Sequence, residues 1–288
     1  MLNLICLFIL PFFILTASLS AGDQIKKDAE FQVLIRQLID DGFDKERLER
    51  IFSDKEIFFS PDGVSLFFIH SESSLNYDQF LSKKDINSAL KYLKDKKDIL
   101  DNAQEKFSVD KTIITAILLV ETRLGAYTGN SVVINTLSTM AALADKSLWK
   151  RIWNVIPDGR KPSEKDFIKK VQRKSPWAYN ELKAFLKYIE DEGLKPANIK
   201  GSYAGAIGIA QFMPSNILKL AIDGNNDGSI DLFNHADAIF SIANYLRYHG
   251  WKAGLTRQKQ HKILYMYNHS NYYVDTLLKI SDKLRNEN

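Results

Sequence analysis

The sequence predicts a mainly α fold with one minor β element. Three observations carry that prediction. Apolar residues recur at three- and four-residue spacing through most of the chain. Cap and stop residues frame those stretches, and only residues 58–69 gather apolar side chains in runs short enough for strands.

Taken in order, residues 1–21 stand apart from the fold. They carry no charge, are dominated by Leu, Ile and Phe, and end in the small-residue run Ala17-Ser18-Leu19-Ser20-Ala21. That is the pattern of a signal peptide cut after Ser20 or Ala21, so export is expected. Met1-Leu2-Asn3 lacks Lys and Arg, however, and an apolar span of this length left uncleaved would anchor the chain in a membrane. Cys6, the single cysteine of the 288 residues, lies in this segment. The mature chain then has no disulfide and depends on its core. The chain carries 39 Lys and Arg against 35 Asp and Glu, a net +4 that suits an anionic polymer without pointing to one.

Phe31, Leu34, Ile35, Leu38 and Ile39 form the first helical stripe, stopped at Gly42, and Asp44 caps a short helix through Phe52. Phe58-Phe59 and residues 64–69, around Pro61 and Gly63, read as a strand or hairpin. Ser82-Lys83-Lys84-Asp85 is a capping box for a helix with Ile86, Leu90 and Leu93 inward. Asp110 opens another, with Ile113, Ile114, Ile117 and Leu118 on one face and Gly125 at its end. Residues 145–174 hold ten Lys or Arg against four acids, either a solvated helical surface or a groove wall facing an anionic strand. No nucleic-acid-binding motif is present. Helices are expected near 214–222, 236–249 before Gly250, 256–267 and 272–284.

Three local features carry chemistry. Glu121 falls on the apolar face of its helix, three residues after Leu118 and four after Ile117. It is either a buried glutamate paired with Arg123 or another base, or a carboxylic acid whose pKa burial raises into the range of a general acid. The segment Gly201-Ser202-Tyr203-Ala204-Gly205-Ala206-Ile207-Gly208-Ile209-Ala210-Gln211-Phe212 interleaves glycines with polar and aromatic side chains, a backbone built for close approach. It matches neither the dinucleotide fingerprint nor a phosphate-binding loop. Third, Asp223, Asn225, Asp227 and Ser229 place oxygens at alternate positions around Gly228 in the sixth, an EF-hand-like calcium loop. Its twelfth residue is Asn234, so the missing carboxylate falls to Asp237; the alternative is a metal-free Asn/Asp/Gly turn.

Together, Val120-Glu121-Thr122-Arg123-Leu124-Gly125 and the 201–215 segment resemble the membrane-bound lytic transglycosylase B family. The likeness continues through the calcium loop, His249-Gly250-Trp251 and Tyr267-Asn268-His269-Ser270 with Tyr273-Val274. It implies a lysozyme-like catalytic core over 109–288, preceded by a helical part over 22–108. The implied enzyme is periplasmic and acts on peptidoglycan glycan strands, cutting the β-1,4 bond between N-acetylmuramic acid and N-acetylglucosamine to leave 1,6-anhydro ends. By position, Glu121 is the acid and then the base, no cofactor serves catalysis, and the calcium ion is structural. Ser202 and Gln211 match positions in the sugar cleft, Tyr267 and Asn268 match a pair facing the carboxyl group, and Tyr203 and Phe212 offer rings for stacking. Arg173, Lys174 and Trp177 match contacts to glycan and peptide stem. The insertion over 145–171 departs from the family pattern. A hydrolytic muramidase and a non-catalytic peptidoglycan-binding scaffold are the competing readings.

Overall fold

The computed structural model describes residues 29–69 and 76–287; the expected signal segment and Cys6 lie outside them. Thirteen α-helices and a two-stranded antiparallel sheet make up the described chain, the sheet pairing β1 (Ser131–Val132) with β2 (Lys200–Gly201). No helix among the described residues is long and apolar enough to cross a membrane.

The cap signals act where the sequence puts them. Helix α1 (Gln32–Asp40) buries Leu34 and Leu38, and α2 (Lys45–Phe52) starts where the Arg47 amide donates to Asp44 Oδ1 at 2.7 Å. A 3-10 helix, Tyr77–Leu81, leads into α4 (Lys83–Asp95), where Ser82 Oγ accepts the Asp85 amide and donates to Asp85 Oδ2. Helices α5 (Lys97–Phe107) and α6 (Lys111–Thr122) follow, with Asp110 capping α6 through the Thr112 amide. Eight residues of α6 in succession, Thr112 to Leu119, are buried, which places it at the centre of the core.

The expected strand at 64–69 is instead helix α3 (Pro61–Ile69). Pro61 opens it, where a missing N–H costs nothing. Val64, Phe67 and Phe68 take the i, i+3, i+4 positions against the core, while Phe68 stacks 4.7 Å from Phe167. The minor β element exists elsewhere, at β1 and β2.

Helix α7 (Val133–Ala142) is buried at every position and lies against α9 (Glu164–Asp191), a 28-residue helix that runs through Pro176. The basic insertion forms short helix α8 (Trp149–Val155), a 3-10 turn and the first two turns of α9. It is pinned by Trp149 and Trp153 edge-on to Phe167. Helices α10 (Pro214–Leu220), α11 (His235–Tyr248), α12 (Arg257–Tyr267) and α13 (Asn271–Glu287) complete the chain.

Candidate active site

Helix α6 ends one residue past Glu121, and Arg123, Leu124 and Gly125 follow at φ 49°, 62° and 90°. Three left-handed residues in a row turn the backbone sharply away and leave Glu121, half-buried, at the mouth of a cleft of about 860 Å³. Thr122 locks the turn from inside: its Oγ accepts the Gly125 amide at 3.0 Å and donates to the Ile209 carbonyl at 2.9 Å. That second bond ties the helix to the opposite wall.

The opposite wall is the glycine-rich segment, and its small residues have a steric reason. A Cβ on Gly201 would stand 2.1 Å from the Ala206 carbonyl oxygen, and one on Gly129 would stand 2.1 Å from the Gly201 oxygen. The loop is therefore folded against itself and against residues 128–130. Ser202 Oγ accepts the Ala204 and Ala206 amides, and Gln211, at φ 50°, sends its Nε2 to the carbonyls of Gly208 and Thr128. Two successive carbonyls are clamped by hydroxyls from different helices, Ile209 by Thr122 and Ala210 by Tyr267 at 2.5 Å.

Glu121 Oε1 accepts a 2.6 Å hydrogen bond from the Tyr273 hydroxyl on α13. Burial first, then the Glu121 charge and neighbouring Tyr267, push the Tyr273 phenol well above its ordinary value, so it stays protonated and donates. Arg123, the base considered from sequence, turns away and pairs with Asp85 at 2.7 Å. Among the described residues that line the cleft, Glu121 is the one carboxylate; the remainder are aromatic, amide, hydroxyl, aliphatic and small side chains with one imidazole. Such a wall recognises neutral hydroxylated rings through stacking and hydrogen bonds.

Of the residues singled out from sequence, Ser202, Tyr203, Gln211, Tyr267 and Asn268 line the cleft with Glu121. Phe212 does not. It is 2% exposed and packs on Tyr245 and Tyr267 beneath the loop, because the pairing of Ile207 with Phe212 turns its ring inward, so it has no face for a sugar. Lys174 and Trp177 stand just outside: Trp177 and Tyr203 both pack edge-on to Phe67, with the Lys174 ammonium 4.2 Å above Trp177, while Arg173 is exposed and does not line the cleft. Burial, then the charges of Arg173 and Lys170, hold Lys174 below the usual lysine range. Asn76, Tyr77, Gln79, Phe80 and the 127–131 loop also line the cleft and were not singled out. Tyr273 enters the sequence reading only through the resemblance, since its separation from Glu121, 152 residues, gives no local signal.

A family model described as Transglycosylase SLT domain matches residues 26–260. The chain belongs to that family. It is 27% identical over 244 residues to membrane-bound lytic murein transglycosylase B of Escherichia coli K12, covering 81% of this chain and 60% of that relative's length. The fold is also that of Escherichia coli lytic transglycosylase Slt35 in complex with calcium, with a TM-score of 0.68, 22% identity and coverage of 90% and 93% of the two chains. SltB3 from Pseudomonas aeruginosa in complex with NAG-anhNAM-pentapeptide matches with a TM-score of 0.69 and 19% identity, covering 91% of this chain and 79% of the other.

Within this SLT-domain chain the 223–231 loop lies behind the glycine-rich wall, joined to it where the Ile209 amide donates to the Leu232 carbonyl at 2.8 Å. Asp223 accepts the Asp227 and Gly228 amides, and Asn225 donates to Asp227 at 2.6 Å. Asp237, fully buried, accepts Gly224 and Asp231 amides on its two oxygens. The Ser229 hydroxyl points out of the loop to Glu192, so only its main-chain carbonyl is left for a metal, as at the seventh position of such loops. No group of three or more His, Cys, Asp or Glu side chains is gathered for a metal among the described residues.

Removing the Tyr273 hydroxyl should loosen the carboxylate it holds. Tyr273→Phe is expected to cost about 2 kcal/mol, roughly thirtyfold in kcat, with glycan binding little altered. Steady-state rates on soluble glycan fragments check this, and an unchanged kcat would remove Tyr273 from the chemistry.

Proposed function

We propose that this protein is a peptidoglycan lytic transglycosylase in which Glu121 serves as acid and then base. What supports the proposal is a carboxylate that stands alone among the described cleft residues, held by a neutral tyrosine. Hydrolytic glycosidases generally need two carboxylates, the second to activate water or attack the sugar. A single group suffices if the nucleophile belongs to the substrate.

Glu121, protonated, gives its proton to the glycosidic oxygen as the bond from C1 of the muramoyl residue breaks. The carboxylate left behind takes the proton of the muramoyl 6-hydroxyl, whose oxygen bonds to C1 and closes the 1,6-anhydro ring. The acid is regenerated and no water is consumed. Tyr273, donating to Oε1, favours the ionised form between the two transfers. The complex of SltB3 with an anhydro product fits this reaction class.

The expected test uses the oxygen of the solvent. Digestion in ¹⁸O-labelled water should leave the released muropeptides unlabelled, whereas a muramidase would place one labelled oxygen in every new reducing end.

For the loop at 223–231 we infer a structural calcium ion. Oxygen donors alone, from Asp223, Asn225 and Asp227 with the Ser229 main-chain carbonyl and Asp237 as the remaining carboxylate, suit a hard divalent cation. Slt35, of the same fold, has been crystallised with calcium. The ion would tighten the loop behind the glycine-rich wall and would take no part in proton transfer. Residues 1–21 support export to the periplasm, where the glycan lies, with retention at the membrane if the segment stays uncleaved.

A further inference from the structure

The left-handed turn after Glu121 carries the Arg123 side chain away from that carboxylate to residues 79–85. There Nη1 donates to Asp85 Oδ1 at 2.7 Å, Nη2 donates to Gln79 Oε1 at 2.8 Å, and the guanidinium lies 5.0 Å from the Phe80 ring centre. Asp85 is itself held by Ser82, and Gln79 passes the contact on by donating to the Asn76 carbonyl at 2.8 Å. Asn76, Gln79 and Phe80 all line the same cleft as the glycine-rich segment. The 3-10 helix that carries them has only 5 residues, too few to hold its own geometry, and it is fixed at its other end by Tyr77 edge-on to Tyr273.

We propose that Arg123 is a positioning residue that sets the 76–81 wall of the groove, and so its grip on the glycan, rather than the proton transfers at Glu121. Placing a non-glycine residue at φ 49° costs about 1 kcal/mol or more, and that conformation is what brings the side chain to Asp85. The three contacts need a planar fork that donates from two nitrogens while stacking on a ring, which arginine supplies and lysine does not. Arg123 therefore couples the end of the catalytic helix to the 76–81 wall of the cleft.

The proposal rests on the glycan reading for its kinetic consequence, but not for its structural one. Hydrogen-exchange mass spectrometry of the free full-length chain reads the wall directly. Arg123→Ala is expected to speed exchange over 76–81 about tenfold while α6 stays protected, and Arg123→Lys, which keeps the charge without the fork, should fall between. On soluble glycan, Arg123→Ala should raise KM about tenfold and change kcat by less than about threefold. Unchanged exchange over 76–81 in both variants would overturn the proposal whatever the enzyme cuts, as would a fall in kcat at constant KM. Failure of every variant and the wild type to cut glycan would contradict the functional reading alone, since the exchange result stands without substrate.

Discussion

Glu121→Gln is expected to abolish release of muropeptides from purified peptidoglycan, with a loss of about 10³- to 10⁴-fold, while pelleting assays show the variant still bound to the wall. The magnitude follows from the dual use of one group. General acid or base catalysis contributes roughly 10²–10⁴-fold, and here a single side chain performs both transfers. Glutamine keeps the shape and can still accept from the Tyr273 hydroxyl, so the fold and the cleft should persist. It has no proton to give the leaving oxygen and cannot take one from the 6-hydroxyl. Activity that survived the substitution would mean that another group does the work. A scaffold without catalysis would behave alike with either residue.

The second large effect concerns stability. Asp237 is fully buried, and its two oxygens accept the amides that open and close the 223–231 loop. Asp237→Ala would leave both amides without their acceptor in a desolvated place, at a cost of about 3 kcal/mol. For a domain of this size that lowers Tm by about 6–12 °C in calorimetry. A calcium ion in the loop adds to this by mass action: at a hundred times its Kd it should stabilise the wild type by about 2.7 kcal/mol, and a chelator should remove that gain. The variant should be destabilised with or without chelator, and its response to calcium should be weak or absent. A wild-type Tm indifferent to both calcium and chelator would leave the loop as a metal-free turn.

Features set by neighbours in sequence were legible. The caps Asp44, Ser82 and Asp110 act over two or three residues, so their amide partners follow from spacing alone. The position of Glu121 at the end of an apolar stripe was legible for the same reason. Helix α3 was hidden because its outer face also carries an apolar side chain, Leu66 at 41% exposure, so apolar residues run on past the buried Val64, Phe67 and Phe68 as they would in a buried strand. Phe212 illustrates a different limit. Its composition suits a sugar platform, but a bridge between Ile207 and Phe212 decides which way its ring faces, and pairing within a loop leaves no periodic trace. The wall at 76–81 and the Tyr273 bond join residues far apart in the chain, so they are fixed only by the packing of α4, α6 and α13. Glu192, which holds Ser229 and Ile230 from the end of α9, was invisible for that reason too.

In the proposed reaction one carboxylate drives an intramolecular ring closure on a glycan. Mass spectrometry of muropeptides released by the wild type and by Glu121→Gln tests it most directly. The expected products are one water lighter than reducing-end fragments and bear 1,6-anhydro-muramoyl ends, and the variant should release none. Reducing-end products from the wild type would contradict it and make the protein a muramidase.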